Sequence, residues 1–373
     1  MSRIAIIGCG VIAPRYAQTL AELAATSDDS AANRVDVVAV ADGITERAKE
    51  FARACNATAR SVDDIIHDPA IDAVVNLTPP LAHATVTRAA LTAGKATFSE
   101  KPLGVDFAEG RALVELAKKN GVRLGCAPDT FLGAGLQTAR AVIDRGDIGE
   151  PLAATGFMMS AGPEWWHPGP DIFYQRGAGP MLDMGPYYLT ALVQLLGPAA
   201  SVYASARITR AQRPIHSKPR RGKLIDVEVP THVSSLIDFA GGATATLITS
   251  FDVLGSRHRN IEIYGTEATL SVPDPNTFGG KLQIRGIRDR EWQDIELLEP
   301  NIPQERGVGL ADMLSAQRHN RNHRANADLA LHVLELMTSA VTSSDLGQRV
   351  TLTTTCERSA PLDFTLPINT FDT

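Results

Sequence analysis

The sequence predicts an α/β protein of two domains, a parallel-sheet domain over residues 1–124 and an α+β domain over residues 125–373. Three observations predict it. At 373 residues the chain is longer than one hydrophobic core usually serves. Short apolar runs alternate with helical stretches as far as about residue 124, the pattern of a parallel sheet with crossover helices. Further on, β-prone runs are separated by turn residues, and two of them are joined through Gly241-Gly242, a hairpin signal.

Composition narrows the function classes. Apolar content of 44% and charged content of 21% describe an ordinary globular protein. A net charge of −6 argues against nucleic acid or an anionic membrane surface as the main partner. No run of about 18 apolar residues occurs, so no membrane span is expected. The N-terminus enters a strand without an apolar signal region, and Cys9, Cys55, Cys126 and Cys356 show no paired spacing. Free thiols and a cytoplasmic location are expected.

Residues 3–7 form a continuous apolar run, as in a strand buried on both faces. Gly8-Cys9-Gly10-Val11-Ile12-Ala13 follows, and then a helical stretch to about residue 25. This is Gly-x-Gly-x-x-Ala, the dinucleotide fingerprint of a Rossmann domain with alanine in the third glycine place. Gly8 permits the turn and Gly10 lets the backbone approach a pyrophosphate. The backbone around Val11 and Ile12, at the helix N-terminus, faces the same anion. A second strand, residues 35–41, ends at Asp42, placed to bond the adenosine ribose hydroxyls and repel a 2′-phosphate. Gly43, Ile44 and Thr45 follow with no adjacent arginine, and Arg47 is the nearest cation. NAD is therefore expected over NADP.

Ser61 opens a short helix, residues 73–77 form the next buried strand, and a helix over about 81–93 ends at Gly94. Thr78 and Pro79, in the turn between them, and His83, in the first turn of that helix, border the expected nicotinamide site. A β-prone run over residues 96–99 then delivers Glu100-Lys101-Pro102 to a strand end. In doubly wound sheets that edge is where ligands sit, so Glu100 and Lys101 stand where cofactor and substrate would meet. Asp106 and Glu109 read as a capping box, Asn120-Gly121 as the close of that helix, and residues 123–127 as a sixth strand.

The fingerprint, Asp42, Thr78-Pro79-Pro80 with His83, and Ala93-Gly94-Lys95 leading to Glu100-Lys101-Pro102 occur in one order. That order resembles the glucose–fructose oxidoreductase/inositol dehydrogenase (Gfo/Idh/MocA) family. The resemblance implies a catalytic role for Lys101. It also implies a second domain on an open, mostly antiparallel sheet that lays substrate over the nicotinamide.

In that second domain, helix is expected over residues 131–145 and strands over 152–160, 231–239, 243–251, 261–264, 268–272 and 281–284. In the second of these strands, Val233, Ser235, Ile237 and Phe239 share one face. Residues 210–221, basic and proline-containing, read as a mobile loop. An exposed sheet face needs cover, so a homodimer or homotetramer is expected. Gly177 to Tyr188 carries the second chemical stretch. Asp183 and Tyr187 are four residues apart, so in one helical turn they face the same way, with Tyr188 turned aside as a packing residue. The family pattern is Asp-x-Gly-x-His. Tyrosine in the histidine place is similar to glucose–fructose oxidoreductase-like members. In Glu164-Trp165-Trp166-His167-Pro168, Trp166 and His167 are candidate substrate contacts, an aromatic face for a sugar ring and a partner for a hydroxyl. His319 and His323 have metal-like spacing, but no third ligand is evident and no metal is expected.

The expected activity is transfer of a hydride between nicotinamide and a secondary alcohol or ketone of a sugar, glycoside or cyclic polyol. Lys101, Asp183, Tyr187, Trp166 and His167 would contact substrate. A tyrosine of ordinary pKa near 10 is a poor base, and the Lys101 ammonium nearby would lower it. Proton transfer by Lys101 itself stays open. Other readings are an NAD-dependent glycosidase or lyase using transient oxidation, a dihydrodiol dehydrogenase-like enzyme, and a non-catalytic sugar sensor.

Overall fold

A computed structural model describes residues 2–26, 35–366 and 371. The chain divides into two compact units. One comprises Met1–Ala134, Leu298–Leu331 and Ser359–Thr373, the other Gly135–Leu297 and His332–Arg358.

The first unit is built on six parallel strands: β1 (Ser2–Ile7), β2 (Val35–Ala41), β3 (Thr58–Ala59), β4 (Ala73–Asn76), β5 (Ala96–Ser99) and β6 (Leu124–Cys126). Their order is β3-β2-β1-β4-β5-β6, which reverses direction between β1 and β4. Ligands bind at such a switch point, outside the strand carboxyl ends. Ile4, Ile6, Val74, Val75 and Phe98 are fully buried in the sheet, as expected of strands covered on both faces. The crossovers are α1 (Ala13–Thr26), α2 (Thr45–Cys55), α3 (Val62–His67), α4 (Pro80–Thr92) and α5 (Phe107–Asn120). Their ends follow the local signals. The Ser61 hydroxyl accepts from Asp64 N at the start of α3, the Asp106 carboxylate from Glu109 N at the start of α5. Gly121, with φ of 65°, closes α5.

The second unit begins with α6 (Ala134–Asp144), shorter than expected because residues Thr130–Leu132 form a separate 3₁₀ turn. Its sheet holds β7 (Pro151–Met159), β8 (Ala199–Arg207), β11 (His232–Phe239), β12 (Thr244–Ser250), β13 (Ile261–Gly265), β14 (Ala268–Val272), β15 (Leu282–Gly286), β16 (Gln293–Ile295) and β17 (Val350–Thr351). The order is β16-β15-β14-β13-β7-β12-β11-β8-β17, and β7 with β12 is the parallel pair in an otherwise antiparallel sheet. The Gly241-Gly242 hairpin forms as expected, with Gly242 at φ of 95° and Val233, Ser235, Ile237 and Phe239 on the buried face. Two helices, α7 (Gly179–Asp183) and α8 (Gly185–Leu196), precede β8.

The expectation of a mobile loop over residues 210–221 is corrected by the structure. β9 (Gln212–Pro214) pairs antiparallel with β10 (Leu224–Asp226). The cause is Arg213, buried among acids contributed from outside the segment.

Late segments complete the first unit. The Asp129 carboxylate accepts from Gly307 N at 2.8 Å and Gly309 N at 3.0 Å, where α9 (Val308–Arg318) begins. Cys126 N donates to Ala325 O at 3.0 Å, just before α10 (Ala327–Leu346). Asp312 receives Arg324 N at 2.7 Å, and the Arg324 guanidinium reaches the carbonyls of Ala360 and Pro361. These pairings span long sequence separations and leave no local signature. Among the described residues no helix is long and apolar enough to cross a membrane.

Candidate active site

The nucleotide end of the first unit is shaped by backbone. Gly8 has φ of 101°, and a Cβ there would stand 2.5 Å from the Leu77 carbonyl. Only glycine lets the ends of β1 and β4 come this close. At Gly10 the opposite holds: no atom lies within 4 Å of a Cβ position. That open space and the free N–H groups where α1 begins, beside Val11 and Ile12, fit a pyrophosphate. The Asp42 carboxylate accepts from Cys9 N and from Ile44 N, both at 2.8 Å, tying the end of β2 to the fingerprint loop. Arg47 approaches Asp42 to 3.6 Å. Burial, with Asp42 adding to it, pushes the Cys9 thiol up to about 12, so it stays protonated and inert. All four cysteines are free, as expected. The residues present fit a dinucleotide.

Lys101 follows β5 directly. Glu100 N donates to Asn76 O at 2.8 Å, which continues the β4–β5 pairing one residue further. The Glu100 carboxylate then accepts from Lys101 N at 3.0 Å and from the hydroxyl of Tyr16, on α1, at 2.9 Å. His83 is 1% exposed, and both ring nitrogens face backbone: Nδ1 lies 2.8 Å from Pro102 O and Nε2 2.6 Å from Thr78 O. Burial holds its pKa below the ordinary value, with the Pro102 carbonyl opposing. A neutral imidazole carries one ring proton and so donates to one of the two carbonyls at a time. The ring therefore grips the turns carrying Thr78-Pro79 and Lys101-Pro102. Beneath it, Asn76 Nδ2 donates to His83 O and to the Thr87 hydroxyl, each at 3.0 Å, while Asn76 Oδ1 accepts from the Thr78 hydroxyl at 2.6 Å.

In the second unit, Asp183 is the last residue of α7 and Tyr187 lies in the first turn of α8. The expectation of one continuous helical turn through both is not met. Met184, at φ of −108° and ψ of −26°, separates two helices. The reason is Gly185-Pro186: glycine weakens a helix interior, and proline has no N–H to continue it. Tyr187 N bonds to Met184 O at 3.1 Å. The Tyr188 hydroxyl accepts from Asn260 Nδ2 at 2.8 Å and donates to Phe157 O at 3.4 Å. Burial pushes the Tyr188 pKa well up. It is a satisfied core phenol, as the packing reading expects.

Trp165 and Trp166 are both largely exposed. His167 accepts at Nδ1 from Gly169 N at 3.1 Å, so its other ring nitrogen is the one open to a hydroxyl. Sequence reasoning missed the groups that hold this loop, Glu164 and Arg213, each 3% exposed in its side chain. It also missed Tyr16 and Asn76. An acid before two tryptophans and a tyrosine inside a helix carry no local signal. His319 follows the end of α9, and His323 lies beyond it against Leu124 O at 3.1 Å. No group of three or more metal-ligating side chains occurs among the described residues.

A doubly wound domain with this fingerprint and a lysine at the end of β5 defines a nicotinamide-dependent oxidoreductase class. Residues 2–127 match the oxidoreductase family with NAD-binding Rossmann fold, and residues 136–271 the GFO/IDH/MocA C-terminal domain. The chain belongs to the GFO/IDH/MocA family of NAD-binding oxidoreductases. It is 27% identical over 273 residues to scyllo-inositol 2-dehydrogenase (NAD(+)) of Bacillus subtilis (strain 168), covering 72% of this chain and 73% of the relative. With trans-1,2-dihydrobenzene-1,2-diol dehydrogenase of Mus musculus it shares 28% identity over 245 residues, 64% of this chain and 66% of the relative. Levoglucosan dehydrogenase in complex with NADH and L-sorbose superposes with a TM-score of 0.82 at 21% identity, over 95% of this chain and 99% of that one.

Proposed function

We propose that this protein is an NAD-dependent dehydrogenase acting on a secondary alcohol of a sugar, glycoside or cyclic polyol. The observation that carries the reading is the fixed setting of Lys101. It stands at a strand carboxyl end beside the switch point, with Glu100 pinned by Tyr16 and Pro102 by His83. Bound NAD would supply the hydride acceptor, with Gly8, Gly10, Val11, Ile12, Asp42, Thr78, Pro79 and Glu100 holding it. His83 serves as a positioning residue, because its ring nitrogens are occupied by backbone. The Tyr187 hydroxyl takes the alcohol proton. Lys101 as the direct acceptor is the variant reading. Asp183 accepts from a neighbouring substrate hydroxyl or holds Lys101 charged. Trp166 and His167 contact the ring.

The substrate named for the bacterial relative favours an inositol, and that of the mouse relative a dihydrodiol. Inositols, sugars, glycosides and a trans-dihydrodiol should be offered with NAD and NADP, following absorbance of the reduced cofactor. Cofactor reduction by a ring polyol supports the reading, and bond cleavage without net reduction indicates a transient-oxidation glycosidase or lyase. No response to any of these points to a sensor.

The second unit's sheet leaves Tyr203 and Leu236 exposed directly opposite each other in register. Cover by a second copy, as a homodimer or homotetramer, is the proposed remedy, and light scattering reads it. Four free thiols support a cytoplasmic setting.

A further inference from the structure

We propose that Trp165, backed by His216, is a stacking subsite for the apolar C–H face of a cyclic sugar or cyclitol, an inference that rests on the sugar or polyol reading above. The two rings are parallel within 9°, with centroids 3.9 Å apart. One indole face is thus covered by imidazole, yet Trp165 is 51% exposed, which leaves the opposite face to a ligand. A flat π-face attracts polarised C–H edges. A ring with mostly equatorial hydroxyls presents such hydrogens, whereas an open-chain polyol presents no such face.

The pair is held firmly from below. Glu164 O accepts from His216 N at 2.9 Å and Ser217 N at 3.0 Å, and the Ser217 hydroxyl donates to His167 O. These bonds fix the tryptophan loop to the β9–β10 hairpin. Beneath them the Glu164 carboxylate receives Arg213 Nε at 2.8 Å, Arg213 Nη2 at 2.6 Å and the Tyr174 hydroxyl. Arg213 also pairs with Asp252, donates to Ala161 O and Phe251 O, and lies 5.2 Å over the Tyr174 ring. A buried ionic cluster adds little net stability over apolar residues of the same size, and its best use is to specify one geometry. Here the geometry specified is that of an exposed indole. No ring lies parallel against Trp166 among the described residues: it is 68% exposed, meets His167 edge-on at 85° and lies tilted at 57° to Phe173. A ring already immobilised loses less freedom on binding, so the subsite is assigned to Trp165.

The test is calorimetric binding of myo-inositol and D-glucose to the NADH-loaded protein, with sorbitol as the acyclic comparison, beside KM and kcat for whichever ring compound is oxidised. Trp165→Ala is expected to weaken the better ring ligand about tenfold and to raise KM in parallel, with kcat and NADH affinity within about twofold. Trp165→Phe recovers part of that loss, and His216→Ala falls between them. Trp166→Ala weakens ring binding by clearly less than Trp165→Ala does. Ring binding that depends on Trp165 without cofactor reduction by any polyol supports the subsite while removing the dehydrogenase reading. The proposal is overturned if Trp165→Ala leaves ring affinity within twofold, if Trp166→Ala matches its loss, if sorbitol binds as well as the rings, or if neither ring compound binds.

Discussion

The Lys101 turn and the tryptophan loop solve the same problem, holding a loop still, by different means. Around Lys101 the fixing groups are mostly neutral and mostly backbone: carbonyls of Pro102 and Thr78, the amide of Asn76, the phenol of Tyr16. Around Trp165 they are charged and buried, with Arg213 between Glu164 and Asp252. Backbone bonds tolerate the loss of one member. A buried charge does not tolerate the loss of its partner. Substitutions should therefore destabilise the second region far more than the first, and silence chemistry in the first without unfolding it.

The largest expected effect sharpens that contrast. Arg213→Met leaves Glu164 buried without its counterion and should cost about 3–5 kcal/mol of stability, read by chemical unfolding. A loss below about 1 kcal/mol would show that the cluster relaxes and the contrast is false. His83→Gln, in the neutral region, should cost less, on the order of one or two hydrogen bonds.

Next comes Asp129, the first unit's own buried carboxylate. Burial pushes its pKa up to about 6, against the two backbone N–H groups that lower it. A raised carboxyl pKa means the folded state holds the proton more tightly. Its contribution to stability is fully present below about pH 4 and is lost as pH rises through about 6. Asp129→Asn should therefore gain on wild type across that window by about 3 kcal/mol. Parallel unfolding curves from pH 4 to 7, with no divergence, would show that the helix N–H groups keep the carboxylate ionised.

Lys101→Ala should retain the fold and most NAD affinity and lose about 10²-fold or more in turnover. Turnover within a few-fold of wild type would remove Lys101 from the chemistry. Tyr187→Phe should cost a similar factor in turnover. Tyr188→Phe should cost only the bonds to Asn260 and Phe157, about 0.5–1.5 kcal/mol of stability. A dead Tyr188→Phe beside a near-normal Tyr187→Phe would reverse the assignment.

What was legible in the sequence divides along another line. The fingerprint, Asp42, the capping box at Asp106 and the Gly241-Gly242 hairpin are short-range devices, and each stands where its residues predict. β8 has no clear sequence signal, because Ala and Ser dominate it and its strand character comes from pairing with β11. The β9–β10 hairpin read as a loop, since its one decisive residue, Arg213, looks like any exposed arginine until Glu164 is placed beside it. Spacing alone predicts one helix through Asp183 and Tyr187, and Gly185-Pro186 breaks it. Contacts between near neighbours in the chain leave sequence signatures; contacts between distant residues, ionic or neutral, leave none.

The smallest expected effect concerns the nucleotide end, where a half-exposed arginine faces a carboxylate. Asp42 is mostly buried and its two oxygens already receive Cys9 N and Ile44 N, so its charge is fixed in place. A 2′-phosphate brought to that position meets a held carboxylate. Arg47 lies 3.6 Å away but is 48% exposed, and an exposed pair of this kind is worth about 0–1 kcal/mol. The fixed anion should therefore win, and NAD should bind more tightly than NADP. Arg47→Ala should weaken NADP by about two- to fivefold, the factor that energy permits, and change NAD by less than about twofold. Fluorescence titration with both reduced cofactors measures it, at low and high salt, because an exposed pair is screened. If NADP binds as tightly as NAD to the wild type and loses more than tenfold in Arg47→Ala, the arginine dominates the carboxylate, and the nucleotide end too depends on a charge that sequence position alone did not reveal.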